Sequence, residues 1–169
     1  MQTSNPHRIR LRPYGKDDFP LLERLLGDPK MMIYLGGPES HEQLLSRHQR
    51  YLKSEGCYTI EELASKKSIG WIGNWEVTKY DEQSWETGWN VLPEYQGKGF
   101  ATEAINLLFE KLQDEKKFRY IYAFPNVNNG PSNALCRKTG FIFMEEERVE
   151  YPKGNFMQCN NWRYDLESK

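Results

Sequence analysis

The sequence predicts a single domain of mixed α/β (α+β) class, in which a mostly antiparallel sheet is flanked by helices in the order β-α-α-β-β-β-α-β-α-β-β. Three observations predict it. Short runs alternate apolar and polar residues with the period of a strand, and longer runs repeat apolar residues with the period of a helix. Three consecutive strand-like runs are joined by polar links of hairpin length, whereas other strands are separated by whole helices. Hairpins and crossovers must therefore share one mixed sheet.

The elements follow in order. In RIRLRP, Ile9 and Leu11 alternate with Arg8, Arg10 and Arg12, the pattern of a half-buried strand. A helix follows in DDFPLLERLLG, with Phe19, Leu22, Leu25 and Leu26 on one face and Gly27 to end it. The next helix opens on a capping box, Ser40 with Gln43. It repeats His41, Leu44, Leu45, His48, Tyr51 and Leu52 at helical spacing, with Gly56 as its expected stop. CYTIEEL, SIGWIGNWEVT and SWETGWNVL read as an antiparallel meander. After the glycine-containing stretch PEYQGKGFATEA, Ala101, Ala104, Ile105, Leu108, Phe109 and Leu112 mark an amphipathic helix. YIYAF is a short inner strand. The following helix carries Pro131 in its first turn and Gly140 after its last. FIFMEEERVEY and MQCNNWRYDL close the chain as two strands around PKGN.

Residues 1–169 show no repeat, low-complexity segment or linker-like shift, and a chain of this length suits one domain. Apolar residues make up 38% and aromatics 14%, enough for a packed core. The 23 basic and 24 acidic side chains leave a net charge of −1, so no overall field draws nucleic acid or an anionic membrane. Cys57, Cys136 and Cys159 are odd in number and widely spaced, without metal-ligand spacing, so neither a disulfide framework nor a metal site is expected. The expected location is a reducing cytoplasm, since no apolar run approaches a signal segment or the about 18 residues of a membrane span.

Two strand-to-helix junctions carry the chemistry. At the first, Gln96, Gly99 and Ala101 fit the pattern Q/R-x-x-G-x-G/A, where free N–H groups and the positive end of a helix dipole meet. Glycines at 97 and 99 would let an anion approach the backbone. A Walker A loop is excluded because Lys98 is followed by Gly99 instead of Ser or Thr. The dinucleotide fingerprint fails because Thr102 stands where its third glycine belongs.

Together, ETGWNVLPEYQGKGFATEAINLLFEKL and the later NVNNGPSNALCRKTGF resemble the GCN5-related N-acetyltransferase (GNAT) family, over nearly the whole chain. Within it, the sequence is similar to the branch containing the ribosomal-protein N-terminal acetyltransferases. The resemblance implies an acetyl-CoA-dependent transfer to a primary amine, on a small molecule or a protein N-terminus, by a monomer or homodimer and without a metal. It implies that Gln96, Gly97, Lys98, Gly99, Phe100, Ala101 and Thr102 bind the pyrophosphate, mainly through backbone N–H groups. It also implies that Asn90, Val91 and Leu92 pair with the pantetheine arm, and that Asn129 and Ser132 contact the pantetheine or the far side of CoA. A fold of this family that holds CoA without catalysis is the alternative.

Amine acetylation needs a deprotonated amine, donors for the oxyanion and a proton for the departing thiolate. Glu86 is the candidate base, since strand parity puts it on one face with Gly88 and Asn90; an ion-paired or solvated carboxylate is the competing role. Cys136 stands where many relatives carry a tyrosine acid, four residues before the helix-ending glycine, and is either a proton donor or a small buried hydrophobe. An N–H near Val91 would serve the oxyanion. Tyr34, Trp75 and Tyr122 are the candidates for the acceptor pocket, with Trp71 and Trp89 as further aromatics.

Overall fold

A computed structural model describes residues 5–168, and its element order is the expected one. Strand β1 (Ile9–Pro13) leads to helices α1 (Phe19–Leu26) and α2 (His41–Lys53). The meander β2 (Cys57–Glu62), β3 (Ser68–Lys79) and β4 (Glu82–Val91) follows. Then come α3 (Phe100–Glu115), β5 (Tyr120–Ala123), α4 (Gly130–Lys138) and the hairpin β6 (Ile142–Glu150) and β7 (Phe156–Asp165). The seven strands form one sheet in the order β1-β2-β3-β4-β5-β7-β6, antiparallel everywhere except between β4 and β5. No helix among the described residues is long and apolar enough to cross a membrane.

Each face of the sheet has its own core. Ala104, Ile105, Leu108, Phe109 and Leu112 of α3 are buried against Ile60, Ile72, Trp85, Val91 and Ile121 of the strands. On the other face Leu22, Leu25 and Leu26 of α1 and Leu44 of α2 enclose Trp71 and Leu92, and Tyr51 stacks on the Trp71 indole at 4.9 Å. Burying such side chains contributes about 1.5–3 kcal/mol each, which is why the apolar periodicity marks the helices.

The capping box of α2 forms as expected: Gln43 N–H donates to Ser40 Oγ at 3.2 Å and Ser40 N–H to Gln43 Oε1 at 2.8 Å. Its C-terminus departs from expectation. The helix ends at Lys53, and Ser54 is already extended. Gly56 serves β3 instead, since a Cβ there would lie 2.1 Å from the carbonyl oxygen of Asn74. It is a site of close backbone approach, not a helix stop.

The arginines of β1 are not simply solvated. Arg12 donates to both oxygens of Asp18 at 2.9 and 2.8 Å, and the same carboxylate accepts from Gly15 N (2.8 Å) and Thr59 Oγ1 (2.9 Å). Asp18 is only 4% exposed. Burial alone would raise its pKa, but the hydrogen bonds from Arg12, Gly15 and Thr59 outweigh it and hold the carboxyl below the usual range. A depressed folded-state pKa adds stability that is present above the unfolded value and is lost as pH falls. Asp18→Ala should therefore cost about 3 kcal/mol at neutral pH, read as a lower urea midpoint at unchanged slope. The difference from wild type should shrink below about pH 4.

Candidate active site

Strands β4 and β5 pair only through Trp85 opposite Ile121 and Glu86 opposite Tyr122. Beyond Glu86 they diverge. Leu92 N–H donates to Ile69 O at 2.9 Å, and bonded pairs alternate along an antiparallel ladder. Asn90, Gly88 and Glu86 therefore turn their backbone groups toward β3, while Trp89 and Val91 turn theirs to the open edge. A cleft of about 500 Å³ lies there, between the segment containing Met31 and Tyr34, the end of β4, and the first turns of α3 and α4.

The loop before α3 fits an anion. Gly97 and Gly99 have φ of 72° and 84°, a left-handed conformation that favours glycine. Gly99 is the N-cap of α3 and brings no side chain to cap it. The N–H groups from Gly97 through Thr102 donate to no acceptor among the described residues, and the first helical bond runs from Glu103 N to Gly99 O at 3.1 Å. Unspent donors at the positive end of a helix dipole suit a phosphate. Gln96 closes the loop onto its strand by donating from Nε2 to Val91 O at 2.8 Å.

Most of the residues expected to hold the cosubstrate come together here. Asn90, Val91, Gln96, Gly97, Gly99, Phe100, Ala101, Thr102, Asn129 and Ser132 all line the cleft. The exceptions have physical causes. Leu92 is 2% exposed, with its N–H spent on Ile69 and its side chain in the α1–α2 core, so it offers the cleft nothing. Lys98 lies outside the lining, its ammonium over the Tyr95 ring at 5.8 Å. Asn129 does line the cleft, but its Oδ1 is occupied as the N-cap of α4, accepting from Ser132 N at 3.2 Å.

Two contributors escaped sequence reasoning. Trp89 supplies an unpaired backbone edge, for which its side chain is no signal. Asn133 is buried in α4, donating to Asn126 O and Asn129 O at 3.0 and 2.8 Å and accepting from Asn160 Nδ2 and Trp162 Nε1, both at 2.8 Å. It pins the junction before α4 to β7, and its partners are too distant in sequence to suggest each other.

Glu86 lies on the sheet face opposite α3, half-buried, with Trp75 as its partner across the β3–β4 ladder. Trp75 is 41% exposed and its ring covers Gly88, so it forms a wall beside the carboxylate. Burial pushes Glu86 up to about 7; the Trp75 indole and Lys79 oppose the shift, and Glu147 adds to it. Lys79 Nζ bonds both oxygens of Glu147 at 2.8 and 2.6 Å, and Asn161 Nδ2 reaches the same carboxylate at 3.3 Å. Tyr80 OH donates to Glu145 at 2.7 Å. The face around Glu86 is thus acidic and aromatic.

Three expected roles are corrected. Cys136 is 0% exposed in the α3 core, its thiol pushed up to about 12 by burial, and it has no access to the cleft as a proton donor. Tyr122 is 1% exposed, with its ring stacked on Phe124, and is buried beside Glu86 on the neighbouring strand instead of forming an acceptor wall. Trp71 is likewise core. Tyr34 does line the cleft, whereas Trp75 does not.

The acetyltransferase (GNAT) domain profile matches residues 8–142. The chain belongs to the GNAT acetyltransferase family. An uncharacterised N-acetyltransferase, YnaD, of Bacillus subtilis (strain 168) is 34% identical over 85 residues, a match covering 50% of this chain and 50% of that relative. Among solved structures, a GNAT-family acetyltransferase from Bacillus anthracis superposes with a TM-score of 0.82 at 20% identity, covering 97% of this chain and 98% of that one. The spermidine N-acetyltransferase of Vibrio cholerae in complex with CoA and spermine gives 0.77 at 21% identity, over 94% and 96% of the two chains. The ribosomal-protein-S5-alanine acetyltransferase of Vibrio fischeri gives 0.76 at 16%, over 98% and 97%. These likenesses establish the GNAT fold and do not separate the family's branches.

The environment of Glu86 makes a titration prediction. Its carboxyl, followed by NMR, should titrate with a midpoint near the value of about 7. Glu147→Gln removes a neighbouring negative charge and should lower that midpoint. Lys79→Met removes a positive one and should raise it.

Proposed function

We propose that this GNAT protein transfers the acetyl group of acetyl-CoA directly to a primary amine. The observation that carries the proposal is the coincidence, in one cleft, of unspent N–H groups at Gly97–Thr102 with the open strand edge at Trp89 and Val91. The first suits a pyrophosphate; the second suits an amide-bearing arm that pairs like a strand.

The acceptor approaches from the Glu86 face. An ammonium has no lone pair, so Glu86 takes its proton, directly or through water. The amine nitrogen then bonds to the thioester carbon, Val91 N–H steadies the oxygen that gains charge, and the C–S bond breaks. With Cys136 buried, the departing thiolate takes, through water, the second proton that the nitrogen sheds on becoming an amide. Holding the two reactants against each other supplies much of the acceleration.

The acidic, aromatic surroundings of Glu86 favour a cationic acceptor. Spermidine and a peptide with an N-terminal alanine are the two classes to compare, as the named neighbours act on amines of both kinds. Calorimetry with acetyl-CoA, followed by thiol release in the presence of each amine, tests the proposal. Binding with acceptor-dependent release is expected. Binding without release across a broad amine panel would instead support a CoA-holding module.

Two variants sharpen the test. A Cβ at residue 97 meets nothing within 4 Å, so Gly97→Val leaves packing alone while opposing the left-handed backbone. It should weaken acetyl-CoA binding at least about tenfold. Glu86→Gln should lower kcat/KM by about 10- to 100-fold with unchanged acetyl-CoA affinity. It should also abolish the rise in rate with pH that Glu86 ionisation gives the wild type near pH 7.

A further inference from the structure

Arg8, immediately before β1, contacts Lys98, Phe100 and Glu103 of the loop and the first turn of α3, and stands close to Gly99. Its Nη1 donates to Lys98 O at 2.9 Å. Its Nη2 lies 3.2 Å from the position that a Cβ on Gly99 would take. The guanidinium covers the Phe100 ring at 4.5 Å. Its Nε donates to Glu103 Oε2 at 3.1 Å, while the backbone N–H groups of Arg8 and Ile9 donate to Glu103 Oε1 at 2.7 and 3.3 Å. Arg8 does not line the cleft; it lines a second, smaller cavity of about 290 Å³ together with Phe100.

These contacts bear on direction as well as attachment. In a trans peptide the C=O and the following N–H point opposite ways. Holding the Lys98 carbonyl on Arg8 therefore turns the Gly99 N–H away from the guanidinium, toward the cleft that Gly99 lines. Glu103, in the first turn of α3 where a carboxylate is favoured by the helix dipole, anchors the guanidinium without sending its own charge into the cleft. The absent side chain of Gly99 makes room for Arg8 as well as permitting the left-handed backbone.

We propose that Arg8 is a positioning residue for cosubstrate binding, whose fork to Lys98 O and Glu103 pre-orients the N–H groups of the loop toward a diphosphate. The inference rests on the acetyl-CoA reading of the cleft. It predicts an effect confined to ligands that carry the diphosphate, which a general staple between β1 and α3 does not predict. Lysine keeps the charge but lacks the planar fork, so it should not replace Arg8.

The test compares wild type, Arg8→Met and Arg8→Lys with two acetyl donors, acetyl-CoA and S-acetylpantetheine, which lacks the diphosphate and nucleotide. Thermal melting checks that each variant is folded. Both variants should raise the acetyl-CoA Kd and KM about tenfold or more, with kcat at saturation little changed. The kcat/KM for S-acetylpantetheine should stay within about twofold of wild type. Unchanged acetyl-CoA affinity, an equal loss with both donors, or full activity in Arg8→Lys would each overturn the inference. Failure of the wild type itself to bind acetyl-CoA would instead remove the proposed function, and this inference with it.

Discussion

The parallel pairing of β4 with β5 stops after two residue pairs, and the rest of the molecule is arranged around that interruption. A continuous sheet would bury the Trp89 and Val91 backbone groups in a ladder. Because β5 turns away, the Trp89 groups and the Val91 N–H remain available, the Val91 carbonyl being taken by Gln96, and unpaired backbone donors are costly unless something is to meet them. The same divergence brings the N-termini of α3 and α4 to one opening. At the closed end, Lys79 with Glu147 and Tyr80 with Glu145 and Asn161 join the β3–β4 hairpin to the β6–β7 hairpin across β5. The halves of the sheet are thus fastened on one side and parted on the other.

The electrostatics differ between the cleft and the Glu86 face, since Glu86 and its charged neighbours lie outside the cleft lining. Around the loop, positive potential comes from backbone dipoles and from Lys30 and Lys138 of the lining, while Arg8 and Lys98 stand outside it. On the Glu86 side, carboxylates from β4 and β6 gather around a single lysine, and partial burial raises the nearest of them toward neutral pH. A carboxylate poised near 7 is suited to take a proton from an ammonium and give it up again, whereas one near its ordinary value of about 4.3 would be the weaker base.

Much of this was legible in the sequence because it depends on local chemistry. Period-two and period-3.6 patterns reflect burial against a sheet, so every element and the meander could be placed. Ser40 and Gln43 formed their box because its bonds span three residues. The glycines at 97 and 99 marked a loop before a helix whose backbone could be approached closely, and the structure adds that both have a left-handed φ. Local signals misled where a residue answers to a distant partner. Gly56 sits where a helix stop was expected, but it is required by Asn74 across the sheet. Cys136 occupies the position of an acid on the chain, yet its face of α4 turns into the core.

By itself the sequence determined the order of elements, the glycine-containing loop before α3 and membership of the GNAT family, since these are written in short-range spacing and in two motifs at a set separation. Only the tertiary structure decided which backbone groups are free. Strand parity assigns side chains to faces, but whether Leu92 or Trp89 offers an N–H to the cleft depends on hydrogen-bond phase with β3 and on where β5 departs. It also decided that Arg8 belongs to the loop, a contact spanning 90 residues of chain that no local pattern encodes. The physical reason is the same in each case: propensity and periodicity act over a few residues, whereas the direction of a donor is set by what folding brings beside it.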